Sequence, residues 1–237
     1  SHETAMSSLT EPLRTCISKM IHGNLPTRRI LHRNNPDVTD LCPLCTSIET
    51  QDHMLRCPHP TRETWRKDFL RAIHLHLTKL HTDPILLYRL QTRLDLWLHN
   101  LPTNEHPSAT LQRAENSQAR IGWNQVFRGR LSSLFVNAQQ EYYKLEGRDP
   151  IYYNGRRWEK LLHLLCWSWF HKLWLERNLD IHGRGTDELL FLRESFRPAV
   201  ARLFELRHNL PEYDQPPFER GMDYIMSLPP PAIRYWI

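Results

Sequence analysis

Three of the chain's five cysteines fall between positions 42 and 57, and with one histidine they spell C-x2-C-x7-H-x3-C: Cys42, Cys45, His53 and Cys57 inside LCPLCTSIETQDHMLRC. At roughly 3.5 Å per extended residue, so short a segment lets three thiols and one imidazole converge on a single tetrahedral ion. That donor set favours Zn²⁺, so the segment 42–57 is expected to be a CCHC zinc knuckle. The alternative is a local disulfide beside a surface His, but a Cys42 to Cys45 bridge leaves Cys57 without a partner. His59, two residues past Cys57, competes for the fourth position; thiolate is the softer ligand and favours Cys57. A catalytic zinc keeps one position open for water, whereas four protein ligands close this site. One structural Zn²⁺ is therefore expected. It would supply folding energy to a stretch, Asn34 to Pro60, that has few apolar residues of its own.

The surroundings of this segment are basic. Arg28, Arg29, His32 and Arg33 precede it, and Arg56, Arg62, Arg66, Lys67 and Arg71 follow it, in a chain of net charge +5 and pI near 9.0. Three thiolates and a neutral imidazole leave a zinc centre with a net charge of about −1, so part of this cationic flank can serve as its counter-charge. The rest points to an anionic partner.

Elsewhere the pattern is helical. Leu9, Leu13, Cys16, Ile17, Met20 and Ile21 repeat at three and four, and Gly23-Asn24 with Pro26 stop that helix. Trp65, Phe69, Ile73, Leu77 and Leu80 form the next stripe, with Arg62, Arg66 and Lys79 expected off the apolar face. Asp83 as N-cap and Pro84 at the first turn start a third helix, through Leu86, Leu87, Leu90, Leu94, Trp97 and Leu98. The Pro, Asn and Ser of Leu101 to Thr110 mark a loop. A long helical segment from Leu111 to about Glu146 follows, with Gly129 inside it as a point of close approach or a break. Trp158, Leu161, Leu162, Leu165, Trp169 and Leu173 build the most apolar helix. Its Trp167, Trp169 and Trp174 are expected in the core rather than as a base-stacking platform. Thr186, with Asp187 and Glu188, caps a last helix that Pro198 should divide near Arg197. The Pro-rich end, held by Phe218, Tyr224, Ile225, Tyr235 and Trp236, is expected to be an extended strap. Cys16 and Cys166 sit on apolar faces as buried thiols. The expected architecture is thus mostly α: a multi-helix domain with an inserted CCHC knuckle, and little or no β-sheet beyond a short hairpin at Cys42 to Thr50. Residues 1–8 read as a tag remnant or leader, 9–100 as a helical subdomain carrying the knuckle, 111–210 as a second helical subdomain and 211–237 as the strap.

Around the knuckle the chain reads Leu25-Pro26-Thr27, Leu31-His32-Arg33, Cys42-Pro43-Leu44-Cys45, Glu49-Thr50, His53-Met54-Leu55, Cys57-Pro58, then Trp65. This order of elements, Leu25 to Phe69, resembles the zinc-binding segment that follows the polymerase of non-LTR (LINE-type) retrotransposon reverse transcriptases. LLCWSWFHKLWLERNLDIHG, Leu164 to Gly183, is similar to the tail that often follows that segment, with its Trp-rich helix closing on Arg177-Asn178 and His182-Gly183. The resemblance implies an accessory piece without polymerase activity, because a polymerase needs paired metal-binding aspartates and the chain has no Asp-Asp pair. Nor does a Pro-Asp nuclease motif follow the knuckle, since Asn35-Pro36-Asp37 precedes it.

No Gly-rich phosphate loop, G-x-S-x-G or H-E-x-x-H occurs, and no enzymatic activity is expected. The resemblance and the basic flanks favour a module that binds RNA or DNA through phosphates. The expected contacts are Arg28, Arg29, Arg33, Arg62, Arg66 and Lys67, with Arg128 and Arg130 as a second patch. The alternative is an interaction scaffold for a protein partner, in which zinc is purely structural. No apolar run approaches the roughly 18 residues of a membrane span. An intracellular setting, nuclear or cytoplasmic, is expected from the absence of a secretory signal and from thiols kept reduced.

Overall fold

The computed structural model describes residues 6, 9–102, 111–182, 193–209, 211, 215, 218–228 and 230–237. The mostly helical expectation holds. Among these residues no strand forms, and one isolated antiparallel bridge pairs Leu41 with Ile48. The helices are α1 (Glu11–Ile21), α2 (Arg28–Asn34), α3 (Gln51–Arg56), α4 (Pro60–Lys79), α5 (Pro84–Leu98), α6 (Gln112–Ile121), α7 (Ser133–Leu145), α8 (Gly155–His182), α9 (Arg197–Leu206), α10 (Gly221–Ser227) and α11 (Pro230–Trp236). The chain forms two compact units, Ser1–Leu175 and Glu176–Ile237. The helices on both sides of the Leu101 to Thr110 loop belong to the first; residues 103–110 lie outside the described ones.

In the first unit the apolar stripes become the core. Phe69, Ile73 and Leu77 of α4 and Leu86, Leu90, Leu94 and Leu98 of α5 recur every four residues, and each is fully removed from solvent. Each such side chain contributes roughly 1.5–3 kcal/mol by leaving water. The turn between these helices is set locally: Asp83 accepts from the Ile85 amide at 2.8 Å, with Pro84 in the first turn. Helix α1 ends as expected, with Gly23 at φ 69° and Asn24 N–H donating back to the Lys19 carbonyl. Buried amides hold the connections: Gln139 accepts from the Asp83 amide at 3.0 Å, and Gln118 accepts from Ser132 N–H at 2.8 Å while donating to the Gly122 carbonyl at 2.9 Å.

The expected long helical segment from Leu111 to about Glu146 is broken, at Gly129, as one of the two outcomes expected there, and also at Gly122, which the apolar spacing does not mark. Gly122 at φ 98° closes α6, a 3₁₀ turn covers Trp123–Val126, and Gly129 at φ 75° redirects the chain before Ser132 caps α7. Two glycines in a region that other residues rarely adopt end the helix that the apolar spacing alone would continue. The break places Phe127 fully inside, against Phe69 at 5.3 Å between ring centroids. Helix α8 supplies the aromatic floor as expected. Trp158 donates to Thr82 Oγ1 at 2.9 Å and Trp167 to the Phe127 carbonyl at 3.0 Å, so both indoles are committed to the core. Trp174 is buried and Trp169 half-buried. Gly155 lets α8 start against α7: a Cβ there would sit 2.5 Å from the Val136 carbonyl oxygen.

In the second unit, Val200, Ile225, Met226 and Ile233 form a small core, with Phe204, Phe218 and Trp236 in mutual ring contact at 5.2–5.7 Å. Where an extended strap was expected, most of its described residues form α10 and α11. Proline at a helix's first turn fits without loss, because that amide has no helical partner. Ile225 and Trp236 pack in this core, whereas Tyr224 and Tyr235 are exposed. The division expected near Arg197 is present: residues 193–195 are helical, Phe196 is a turn, and α9 starts at Arg197 with Pro198 in its first turn. Thr186, Asp187 and Glu188 lie outside the described residues.

Candidate metal centre

The knuckle is built from a tight hairpin and two helix starts. Cys42 N–H donates to the Ser47 carbonyl at 2.7 Å, Thr46 N–H to the Cys42 carbonyl at 3.0 Å and Glu49 N–H to the Asp40 carbonyl at 2.8 Å, around the Leu41–Ile48 bridge. Thr46, at φ 61°, takes the left-handed position that turns the chain between Cys45 and the returning strand-like segment. Thr50 then caps α3, accepting from His53 N–H at 3.0 Å, and this places the imidazole one turn into the helix. Cys57 follows α3 in an extended conformation imposed by Pro58.

Cys42, Cys45, His53 and Cys57 thereby converge: their ligand atoms all lie within 4.8 Å of one another and can hold one metal ion. Cys42 Sγ and Cys57 Sγ are 4.0 Å apart, and Cys45 Sγ is 3.2 Å from His53 Nε2. A tetrahedral ion with metal–sulfur bonds of about 2.3 Å requires sulfur–sulfur edges of about 3.8 Å. The donor set and its spacing therefore fit the geometry of structural zinc. All five cysteines are free thiols, which removes the disulfide alternative. Cys57 is the fourth member of this cluster, whereas His59 caps α4, its Nδ1 accepting from Thr61 N–H at 3.4 Å.

The thiols are electrostatically prepared for a cation. A hydrogen bond from Cys57 holds the Cys42 thiol down to about 3, against burial that opposes ionisation. The same pairing, reinforced by burial, drives Cys57 upward. The pair thus carries one thiolate readily and resists a second until a positive ion compensates it.

Several side chains outside the motif fix the ligands. Arg66 of α4 donates to the Cys57 carbonyl at 2.7 Å and to the Leu55 carbonyl at 3.4 Å, and its other nitrogens meet Glu63 at 2.9 and 3.2 Å. The Arg56 guanidinium lies over the Trp97 ring at 5.1 Å. Glu49, buried, accepts from Arg28 N–H at 2.7 Å and so caps α2, a task that Thr27 does not perform with its own side chain. Asp52 accepts from Asn124 at 2.9 Å, and Arg128 donates to Gln51 at 3.2 Å, tying α3 to the Trp123–Arg130 turn. No local sequence signal marks these partners, which lie up to 77 residues apart.

The basic residues divide into two groups. Arg62 and Arg66, expected off the apolar face, are buried, and Arg66 is committed to the knuckle's carbonyls and to Glu63. Their long stems make up part of the α4 interface, which the charge at their tips conceals in sequence. Arg29, Arg33, Lys67 and Arg130 are exposed, and Arg28 and Arg128 are half-buried. Arg29 and Arg128 line one cleft beside α3 together with Gly23, Thr27, Ile30, Thr50, Gln51 and Asp52. No described helix is long and apolar enough to cross a membrane.

Compared with protein-family models, curated proteins and solved structures, the chain matches none of them.

Proposed function

We propose that the chain is a zinc-stapled helical accessory domain that binds nucleic acid through phosphate contacts, in a non-LTR retroelement protein or a gene derived from one. In this reading it acts intracellularly and has no catalytic activity of its own. The observation that carries the reading is the placement of Arg29 and Arg128, from segments about a hundred residues apart, in one cleft beside a Cys₃His centre. Of the other expected contacts, Arg28, Arg33, Lys67 and Arg130 also have solvent access, so about six phosphate contacts are available from this set. The zinc would act only by fixing α2 and α3, which frame that cleft. Its four protein ligands leave no position for water.

Purified protein should contain about one equivalent of zinc, as a single four-ligand site requires. Its removal by a chelator should unfold the segment around residues 40–57, seen as loss of amide protection there. Titration against single- and double-stranded RNA and DNA tests the binding. With about six contacts, affinity should fall by roughly 10³ between 50 and 200 mM salt, and charge reversal at Arg29 and Arg33 should weaken all sequences alike and flatten the slope. Flat titrations with all four nucleic acids would replace this reading by a scaffold for a protein partner.

A further inference from the structure

Gln51 is only 8% exposed, and its side chain sits in the wall of the cleft between α2 and the Trp123–Arg130 turn. Its Oε1 accepts from an Arg128 Nη at 3.2 Å. A guanidinium can only donate, so this contact fixes which end of the amide faces Arg128. Nε2 is left as a buried donor with no acceptor. An unpaired buried donor is destabilising, so its position invites an acceptor from outside the chain. Arg29 and Arg128 line the same cleft, and the Asp52 carboxylate offsets only one of the two charges: it stands 3.9 Å from Arg128 and is also held by Asn124. The result is a recess of net positive charge with an idle amide donor. Its volume of about 290 Å³ is at the small end of ligand sites, enough for one compact group.

We infer that this cleft binds a single phosphate group, taking hydrogen bonds from Gln51 Nε2 and charge from Arg29 and Arg128. The inference deepens the nucleic-acid reading and rests on it for the source of the phosphate, which is the backbone of a bound strand. Phosphate suits the site because its oxygens only accept at a cationic wall, so one group can answer both the guanidinium and the amide. The cleft gives the otherwise diffuse basic surface a defined register point, since a neutral donor adds an oriented contact that charge alone does not.

The test uses the zinc-loaded full chain, with inorganic phosphate and a single-stranded oligonucleotide as separate probes. The readout is the side-chain resonances of Gln51 and Arg29 in nitrogen-15 spectra. Both probes should shift the Gln51 side-chain amide. Gln51→Glu keeps an acceptor for Arg128 while removing the donor and adding a negative charge, so it should weaken both probes at least tenfold with the fold intact. Arg29→Gln, at an exposed position, should weaken both and lower the oligonucleotide salt slope by about one phosphate. Oligonucleotide binding that leaves the Gln51 amide unmoved and is unaffected by either substitution would overturn the inference while the nucleic-acid reading stands. A Gln51 shift with inorganic phosphate but no oligonucleotide binding would support the site with free phosphate as its ligand and would sink the nucleic-acid reading. Silence with both probes would overturn both.

Discussion

Replacing Arg66 by Met tests whether this arginine belongs to the knuckle or to its ligand. Methionine preserves most of the buried stem and removes the guanidinium. The Cys57 carbonyl then loses a charged donor at 2.7 Å and Glu63 loses contacts at 2.9 and 3.2 Å, while the weaker contact to Leu55 at 3.4 Å also goes. A hydrogen bond from a charged group contributes about 1.5–3 kcal/mol, more when its loss strands a buried acceptor. The Arg66 side chain is 4% exposed but that of Glu63 is 33% exposed, so their ion pair is partly screened and adds about 0.5–1 kcal/mol. The expected loss is therefore about 2–4 kcal/mol in urea unfolding of the zinc-loaded protein. The carbonyl belongs to a ligand residue, so metal affinity in a chelator competition should also fall by about 10- to 100-fold. Arg66→Lys should recover only part of this, because one ammonium cannot reach Cys57 and Glu63 in the same fork geometry. A loss under about 0.5 kcal/mol with unchanged metal affinity would refute the reasoning. Nucleic-acid affinity reduced in a variant of unchanged stability would show that Arg66 serves a phosphate instead.

Two further outcomes follow from other charged contacts. Glu115 is buried between Arg89, at 2.6 Å, and Arg93, at 2.9 Å, tying α6 to α5; burial raises its carboxyl, but the two guanidiniums outweigh it and leave it below the ordinary range. Glu115→Ala should therefore cost about 3–5 kcal/mol in thermal or urea unfolding, whereas replacing all three by apolar residues of similar volume should restore most of it; equal losses in both would contradict the account. Glu63 is held down to about 2, first by its hydrogen bond from Arg66 and then by His99 at 3.0 Å. Its folded pKa lies below an unfolded value of about 4.3, so its contribution is complete above that pH and is lost as pH falls from about 4 towards 2. Unfolding midpoints measured across that window should drop less in Glu63→Gln than in the parent chain.

The parts of this fold that were legible in sequence are those whose cause is local. Leu86, Leu90 and Leu94 announce one face of α5, and Asp83-Pro84 announces where it begins, because periodicity and capping are written within a few residues of one another. The four metal donors are legible for the same reason: their spacing alone allows convergence. His59 is a rival in sequence because a histidine that caps a helix looks the same there as one that binds a metal; in the structure it caps α4 and Cys57 stands in the cluster. Gly129 marks a close approach or a break in sequence, but the interruption at Gly122 is concealed by a run of apolar residues that continues in step through Trp123, Val126 and Phe127. Arg62 and Arg66 were misplaced because a charged tip reads as a solvent-facing residue. What draws Arg66 inward is a pair of backbone carbonyls at the end of α3, and carbonyls have no sequence identity.

The concealed contacts also decide how the metal acts on the rest of the unit. A knuckle folded only by its ion would be a freestanding loop, but this one is gripped by three separate elements. Arg66 of α4 holds the carbonyl of the last ligand, Arg56 covers Trp97 of α5, and Asn124 and Arg128 hold Asp52 and Gln51 at the start of the helix that carries His53. Trp97 and Arg128 flank Phe127, whose ring meets those of Phe69 and Trp97 at 5.3 and 6.1 Å. The helix interruption at Gly122–Gly129 is what brings the Asn124 and Arg128 side chains to the knuckle while Phe127, between them, enters the core. A straight helix would place these three residues on a repeating 3.6-residue spiral, with Asn124 and Phe127 three apart on one face. A 3₁₀ turn eclipses the same pair, so it is the positive-φ glycines on either side, Gly122 and Gly129, that take the segment out of helical register and let Phe127 enter the core while its neighbours meet the knuckle. The irregular segment that periodicity failed to foresee is the part of the chain that couples the metal centre to the helical core, and through Arg128 it forms one wall of the basic cleft.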